Sequence, residues 1–445
     1  MLHPSLTVST QDYSLLTDLY ELTMGACYVG EGIADKPASF ELFVRRLPQS
    51  YGYLIAMGLA QAIEYLEQLH FSSEQIQQLQ QLGIFDHAPP EFWSVLEGKV
   101  FTGDVWAMSE GTAAFANEPL LRVEAPLWQA QLVETYLLNA INYQTLIATR
   151  AARMRDVAGE TAKLLEFGTR RAFSPQASLW AARAALAAGF NSTSNVAAAL
   201  KLGEVPSGTM AHSLVMAIGA LQGGEDDAFT AFNRYFPQAP LLIDTYDTVA
   251  AAERLASLPA EERQFAGVRI DSGDIAVLSQ KVRSLLPDTA IFASGDLDEW
   301  EMERLLIEGA MIDGYGIGTK LVTGTPMNGV YKLVEIDGVP TCKQSASKET
   351  FPGRKQVFRR RQNGKLQGDR LGLMTDSPED GETPLLEKVM AQGESAMSVE
   401  PLDTLRDRVR QATLSLPDAL RSLHDPDTIS VQLSSQLDQL NRNYQ

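Results

Sequence analysis

Three observations predict an α/β fold whose centre repeats strand–helix units like a (β/α) barrel. Short apolar runs begin at Leu241, Val268, Ala290 and Met311. Each gives way to small and polar residues: DTYDT from Asp244, DSGD from Asp271, SGDLDE from Ser294 and YGIGTK from Tyr315. Charged, helix-like segments separate the runs, the order expected of parallel strands joined by helical crossovers. In such barrels the C-terminal ends of the strands build the active site. Here those ends carry carboxylates, an arginine, hydroxyls and glycines, which suits a phosphorylated, polyhydroxylated substrate and a divalent metal.

Residues 12–29 read as a helix of small and apolar residues, with Tyr20 and Glu21 as its oddities. Tyr20 alone reads as a half-buried packing residue. Ala38 to Leu47 alternates as a strand does. Gly52 to Leu69 and Ser73 to Leu82 read as helices, the second opened by Ser72 and Ser73 as caps. From Lys99 to Pro126 the helical period is lost, and turn residues at Gly103, Gly111 and Asn117-Glu118-Pro119 predict an antiparallel sheet. Leu127 to Val157 then reads as one long helix.

Leu164–Phe167 is the first barrel-like strand, running into Gly168-Thr169-Arg170. An Ala-rich helix over Gln176–Ala188 is stopped by Gly189. The polar loop Gly189–Asn195 opens a helix at Val196; such loops can hold phosphate on free backbone N–H groups, although capping turns look the same. His212 follows Ser207-Gly208-Thr209, early in a helix. Past the barrel, hairpins turn at Asp337-Gly338 and Asn363-Gly364. Residues 374–400 read as a surface loop, and Leu402–Leu416 and Ile429–Leu440 as terminal helices. The expected division is an N-terminal α+β, sandwich-like domain over 1–128, a barrel-like catalytic domain over 129–325, and C-terminal hairpins and helices over 326–445 that return to the first.

Composition excludes several classes. No run approaches the ~20 apolar residues of a membrane span. The first residues lack a basic region followed by an apolar one, so no signal peptide is expected and the cytoplasm is the expected compartment. Cys27 and Cys342 are too few for a disulfide scaffold or a cysteine zinc site. A net charge of −19 disfavours nucleic acid. It does not exclude a small anion, because local positive groups override the mean field.

The strand ends support a definite chemistry. Breaking a C–O bond at a ribose anomeric carbon builds positive charge, which carboxylates stabilise while Mg²⁺ neutralises a leaving pyrophosphate. Asp271, Asp274, Asp296 and Asp298 suit ribose hydroxyls or a metal shell. Gly295, Gly316, Gly318 and Thr319 allow close backbone approach to a phosphate. The guanidinium of Arg269 suits bidentate capture of a carboxylate, or an ion pair with a rim aspartate. His212 alone reads more often as a structural histidine than as a functional one.

In order along the chain, TDLYELTM, EFGTRRA, GFNSTSNV, GTMAHS, DTYDT, GVRIDSGD, FASGDLDE, GYGIGTKLVT, GVYKLVE and SASKETFPGRKQVFR resemble nicotinate phosphoribosyltransferase, of the phosphoribosyltransferase group with an incomplete barrel. The resemblance implies that nicotinate and phosphoribosyl pyrophosphate form nicotinate mononucleotide and pyrophosphate, a C–N bond made with coupled ATP hydrolysis in NAD biosynthesis. It implies a homodimer with a shared site, in which Tyr20 of the partner subunit stacks on the pyridine ring. Arg269 would bind the nicotinate carboxylate near Thr209, and Arg170 would contact the substrate or its phosphate. Ser294, Gly295, Asp296, Gly318 and Thr319 would hold the ribose phosphate, and ATP would transiently phosphorylate His212. Asp271, with His212 and Arg269, makes up the expected catalytic set; Asp271, Asp274 and Asp296 are the candidate Mg²⁺ ligands.

A phosphohistidine adds negative charge that a basic segment would answer, for which Lys348, Arg354 and Lys355 are the candidates. The same chemistry on nicotinamide or quinolinate is the nearest alternative. Nicotinamide offers Arg269 no carboxylate, and quinolinate calls for a denser cationic cluster. A barrel aldolase is disfavoured because it needs an interior lysine and the strand ends offer only Lys320.

Overall fold

The computed structural model describes residues 6–259, 263, 265–343, 350–398 and 400–444. The chain forms two compact units, Met1–Leu146 with Pro326–Pro401 and Gln411–Gln445, and Ile147–Thr325 with Leu402–Arg410. Among the described residues no helix is long and apolar enough to cross a membrane.

The first unit is built on a seven-stranded sheet. Its order is Val339–Pro340, Gly329–Ile336, Pro37–Val44, Pro119–Pro126, Asp104–Met108, Leu386–Ala391 and Glu394–Ser395. Its ladders are antiparallel, and strands from the C-terminal third flank those from the N-terminal third. Pro37–Val44 sits between two neighbours and is buried along its length after Pro37, so the expected alternation is absent: both faces are covered. The hairpin turns fall where Asp-Gly and Asn-Gly predict them. Asp337 and Gly338 have φ of 50° and 77°, Asn363 and Gly364 of 52° and 76°, as a two-residue primed turn requires.

Five expectations need correction here. Residues 12–29 are not one helix but a 3-10 helix, Thr10–Leu15, and an α-helix, Leu19–Gly30, and the last terminal helix starts only at Ser435, after a short strand, Gln432–Leu433. The stretch from Gly52 begins as a short strand, Leu54–Ile55, and turns helical only at Leu59, after Gly58 at φ 99°. The long helix from Leu127 is two, Leu127–Leu132 and Glu134–Ala158. Residues 374–400 are not a loop: Leu386–Ala391 is an inner strand of the main sheet, paired with Asp104–Met108.

The second unit holds the strand–helix repeat. Its strands are β1 (Lys163–Glu166), β2 (Ser192–Thr193), β3 (Leu241–Leu242), β4 (Gly267–Ile270), β5 (Ala290–Gly295) and β6 (Gly314–Ile317). They form one parallel sheet in the order β2-β1-β6-β5-β4-β3. The unit is thus α/β. Among the described residues β2 and β3 are its two edges, and the sheet does not close by hydrogen bonds into a ring. Acids just beyond the strands cap the helices that follow. Asp247, Asp274 and Asp298 accept from the N–H of Ala250, Val277 and Glu301 at 2.9, 3.1 and 2.9 Å. Phe292 of β5 lies against backbone on both sides. A Cβ placed on Gly314 would meet its ring at 2.6 Å, and one on Gly267 at 3.1 Å.

Candidate active site

The ends of β1, β2 and β4 and the segment Gly208–His212 surround a cavity of about 370 Å³ in the second unit, lined among others by Phe167, Arg170, Ser194, Thr209, His212, Arg269 and Asp271. The chain reaches it by short apolar strands whose last residues enter polar turns, so each strand delivers one or two functional side chains.

Arg269 lies within β4, between Val268 and Ile270, and is largely enclosed. Its Nη2 donates to the Met210 carbonyl at 3.2 Å, while its buried Nε has no hydrogen-bond partner. Burial pushes the guanidinium below its ordinary pKa; Asp271 and Asp244 oppose this, and nearby Arg170 adds to it. A buried cation with an unused donor is costly unless an anion arrives.

His212 is the first residue of the helix His212–Gln222. Its Nδ1 is 3.1 Å from Thr245 Oγ1, and its Nε2 is 4.0 Å from both Asp244 Oδ1 and Asp271 Oδ2. Asp244 follows β3 closely and its side chain is only 2% exposed. Its Oδ2 accepts from the Asp271 N–H at 2.9 Å and the Ser272 hydroxyl at 2.7 Å, while its buried Oδ1 has no hydrogen-bond partner. Asp271 also accepts from the Ser294 hydroxyl. Gly295, at φ 117°, leaves only 3.0 Å between a built Cβ and the Asp271 carbonyl, so a side chain there would be strained. Thr209 spends its hydroxyl on the Pro240 carbonyl at 2.7 Å.

Among the described residues no group of three or more His, Cys, Asp or Glu side chains gathers at metal-binding spacing. Of the candidate metal ligands, Asp271 faces the histidine, Asp274 caps a helix and Asp296 is exposed past β5.

Residues 15–142, 162–363 and 378–441 match the nicotinate phosphoribosyltransferase N-terminal domain, family and C-terminal domain, in that order. A Mycobacterium tuberculosis protein named nicotinate phosphoribosyltransferase pncB2 is 42% identical over 426 residues, 93% of this chain and 89% of the relative. The chain belongs to the nicotinate phosphoribosyltransferase family. A Bacillus subtilis nicotinate phosphoribosyltransferase is 45% identical over 391 residues, covering 82% of this chain and 77% of its own. The crystal structure of human nicotinic acid phosphoribosyltransferase superposes with a TM-score of 0.81 at 29% identity, over 96% of this chain and 99% of that one.

For a nicotinate phosphoribosyltransferase family member, the expected residues fall into three groups. Arg170, Thr209, His212, Arg269 and Asp271 share the cavity, with Ser294 held on Asp271 and Gly295 against its backbone. Asp296, Gly318 and Thr319 follow β5 and β6 and are outside that lining. Tyr20 belongs to the first unit, where it is 45% exposed, and Lys348 lies outside the described residues. Two of the proposed basic-segment residues are already engaged in the first unit. Arg354 pairs with Glu335 at 3.0 Å and Glu124 at 3.3 Å, and buried Lys355 with Glu41 at 2.8 Å.

Sequence reasoning missed Asp244, Thr245 and Glu166 as individuals. The signal for the first two was present: DTYDT directly follows a buried apolar run, the same arrangement that singled out Asp271. Glu166 gave none, because a carboxylate ending a strand looks like any solvated terminus.

Proposed function

We propose that this chain is a nicotinate phosphoribosyltransferase, forming nicotinate mononucleotide and pyrophosphate from nicotinate and phosphoribosyl pyrophosphate, with ATP hydrolysis coupled through phosphorylation of His212. The observation that carries the reading is Arg269: a largely enclosed guanidinium with a buried, unpartnered Nε, lining a cavity shared with a histidine and a carboxylate. A ring carboxylate supplies a hydrogen-bonded anion, which neither Asp271 nor Asp244 is to this guanidinium. Arg170, close enough to depress Arg269 further, would take the second anionic group, the 5-phosphate of the ribose.

Mg²⁺ commonly takes one or two carboxylates and completes its shell with water and substrate phosphate. The unpartnered Oδ1 of Asp244 and the facing Oδ2 of Asp271 fit such a donor set, and these two residues would hold it. When bound it supplies neutralisation of the leaving pyrophosphate. Asp271 would also face the positive charge developing at the ribose. The two rim carboxylates that cap helices, Asp274 and Asp298, hold structure instead.

The reading extends to a homodimer in which Tyr20 of the partner subunit stacks on the pyridine ring, to an incomplete barrel for the second unit, and to a cytoplasmic enzyme. The half-exposed ring of Tyr20 and the repeated strand–helix order support the first two.

Product analysis with nicotinate, phosphoribosyl pyrophosphate and Mg²⁺, with and without ATP, tests it. Mononucleotide is expected in both, formed faster or further with ATP. Preference for nicotinamide or quinolinate in competition would overturn the assignment of the base.

A further inference from the structure

Glu166 is the last residue of β1, 1% exposed, and lies behind the cavity wall. Its Oε1 accepts from the Gly168 N–H, which opens the turn carrying Thr169 and Arg170. Its Oε2 accepts from the Thr193 hydroxyl at 2.5 Å. That hydroxyl in turn accepts from the Asn195 N–H at 2.9 Å. Ser194, between them, donates its N–H to the Glu166 carbonyl at 2.9 Å. The Thr193 carbonyl accepts from the Ser207 N–H at 3.0 Å, two residues before Thr209. Asn195 passes the order on: its Oδ1 caps the helix Val196–Leu202 through Ala198 at 3.0 Å.

We propose that Glu166, acting through the Thr193 hydroxyl, is a positioning residue that fixes the three cavity loops bearing Arg170, Ser194 and Thr209 in one arrangement. It touches no substrate. Both carboxylate oxygens are committed, and the threonine hydroxyl is donor and acceptor at once, so each bond polarises the next. Burying a carboxylate is costly and pushes its pKa up, opposed here by Thr193 and Gly168. Gly168 leaves the turn no slack, since a built Cβ would lie 2.7 Å from Glu166 Oε1 and 2.3 Å from Val322. A neutral amide cannot replace the acid. Glutamine offers one acceptor and two donors where two donors already point.

This inference rests on the functional reading above, and its test separates the two. Thr193→Val keeps the shape and removes the hydroxyl; Thr193→Ser keeps the hydroxyl. Steady-state kinetics for nicotinate are measured on both, on Glu166→Gln and on the wild type, with unfolding midpoints alongside. Small displacements of substrate-orienting groups cost much in apparent affinity, so KM should rise roughly tenfold or more in Thr193→Val and Glu166→Gln, with kcat within roughly threefold. Thr193→Ser should restore KM. An unchanged KM in Thr193→Val, or a loss that Thr193→Ser leaves unrepaired, overturns the positioning role. Should Glu166→Gln fail to fold, the threonine pair alone decides. A wild-type protein that forms no mononucleotide sinks the functional reading and the inference together; an active wild type with indifferent variants sinks the inference alone.

Discussion

The Thr245 hydroxyl stands 3.1 Å from Nδ1 of His212. That contact fixes the ring so that its other nitrogen, Nε2, faces Asp244 and Asp271. The ring is thereby held with one edge on a hydroxyl and the other toward the charged end of the cavity.

That geometry makes ATP coupling separable from transfer. His212→Ala should lose ATP stimulation while retaining some uncoupled mononucleotide formation. Thr245→Val should weaken stimulation several-fold, the worth of one neutral hydrogen bond at ~1 kcal/mol. Acid-labile phosphate on the protein, measured with labelled ATP, reads both. Undiminished coupling in His212→Ala would reject the assignment.

Arg269 should trade stability for recognition. Arg269→Met removes a largely enclosed cation whose Nε is unsatisfied, so the ligand-free variant is expected to melt no lower than the wild type. Its kcat/KM for nicotinate should fall by roughly a hundredfold or more, because the ring carboxylate loses its charged partner. Calorimetric unfolding and steady-state kinetics on one preparation check the pair of effects.

Stability should decline toward alkaline pH through Glu21. Burial first, and then the neighbouring Glu134, raise its carboxyl to about 8, while Thr135 donates to it at 3.1 Å. Other groups facing it are Tyr20 and Asp18, with Lys332 3.9 Å from Glu134. The folded protein holds a proton there that the unfolded chain, at an ordinary 4.5, has released. Unfolding therefore sheds a proton between these values, and stability falls as pH rises through the window. Glu21→Gln should flatten that slope, melting a few degrees above the wild type at about pH 9.

Lys355 should prove structural. Its ammonium is buried against Glu41 at 2.8 Å and donates to the carbonyls of Phe351 and Gly353 at 2.7 and 2.8 Å. Lys355→Met strands a buried carboxylate and should cost about 3 kcal/mol of unfolding free energy; adding Glu41→Leu should recover much of it. Denaturant titration of the two variants is the check.

Periodicity and motif made the parallel repeat legible, because each strand of the second unit is a short buried run closed by turn residues. The primed hairpins were legible too, since Asp337-Gly338 and Asn363-Gly364 are the residues that tolerate positive φ. Long-range pairing was not. Leu386–Ala391 lies in polar, turn-rich sequence and becomes a strand only because Asp104–Met108 offers it an edge. The same limit governed the site. Arg269 and His212 declare themselves by residue type, whereas Glu166 matters only through Thr193 and Gly168, which the fold alone brings to it.

The ring of Phe292, laid between the bare backbones of Gly267 and Gly314, carries a consequence for divergence. These three positions share one volume across three neighbouring strands. A Cβ at 314 would also meet the Lys163 carbonyl oxygen at 2.9 Å, and one at 267 the Ala290 carbonyl oxygen at 2.7 Å, so a smaller residue at 292 leaves a gap that neither glycine can fill while the strands keep their spacing. Change at this point of the sheet should therefore fall on the ring, with both glycines kept for as long as the strands stay paired.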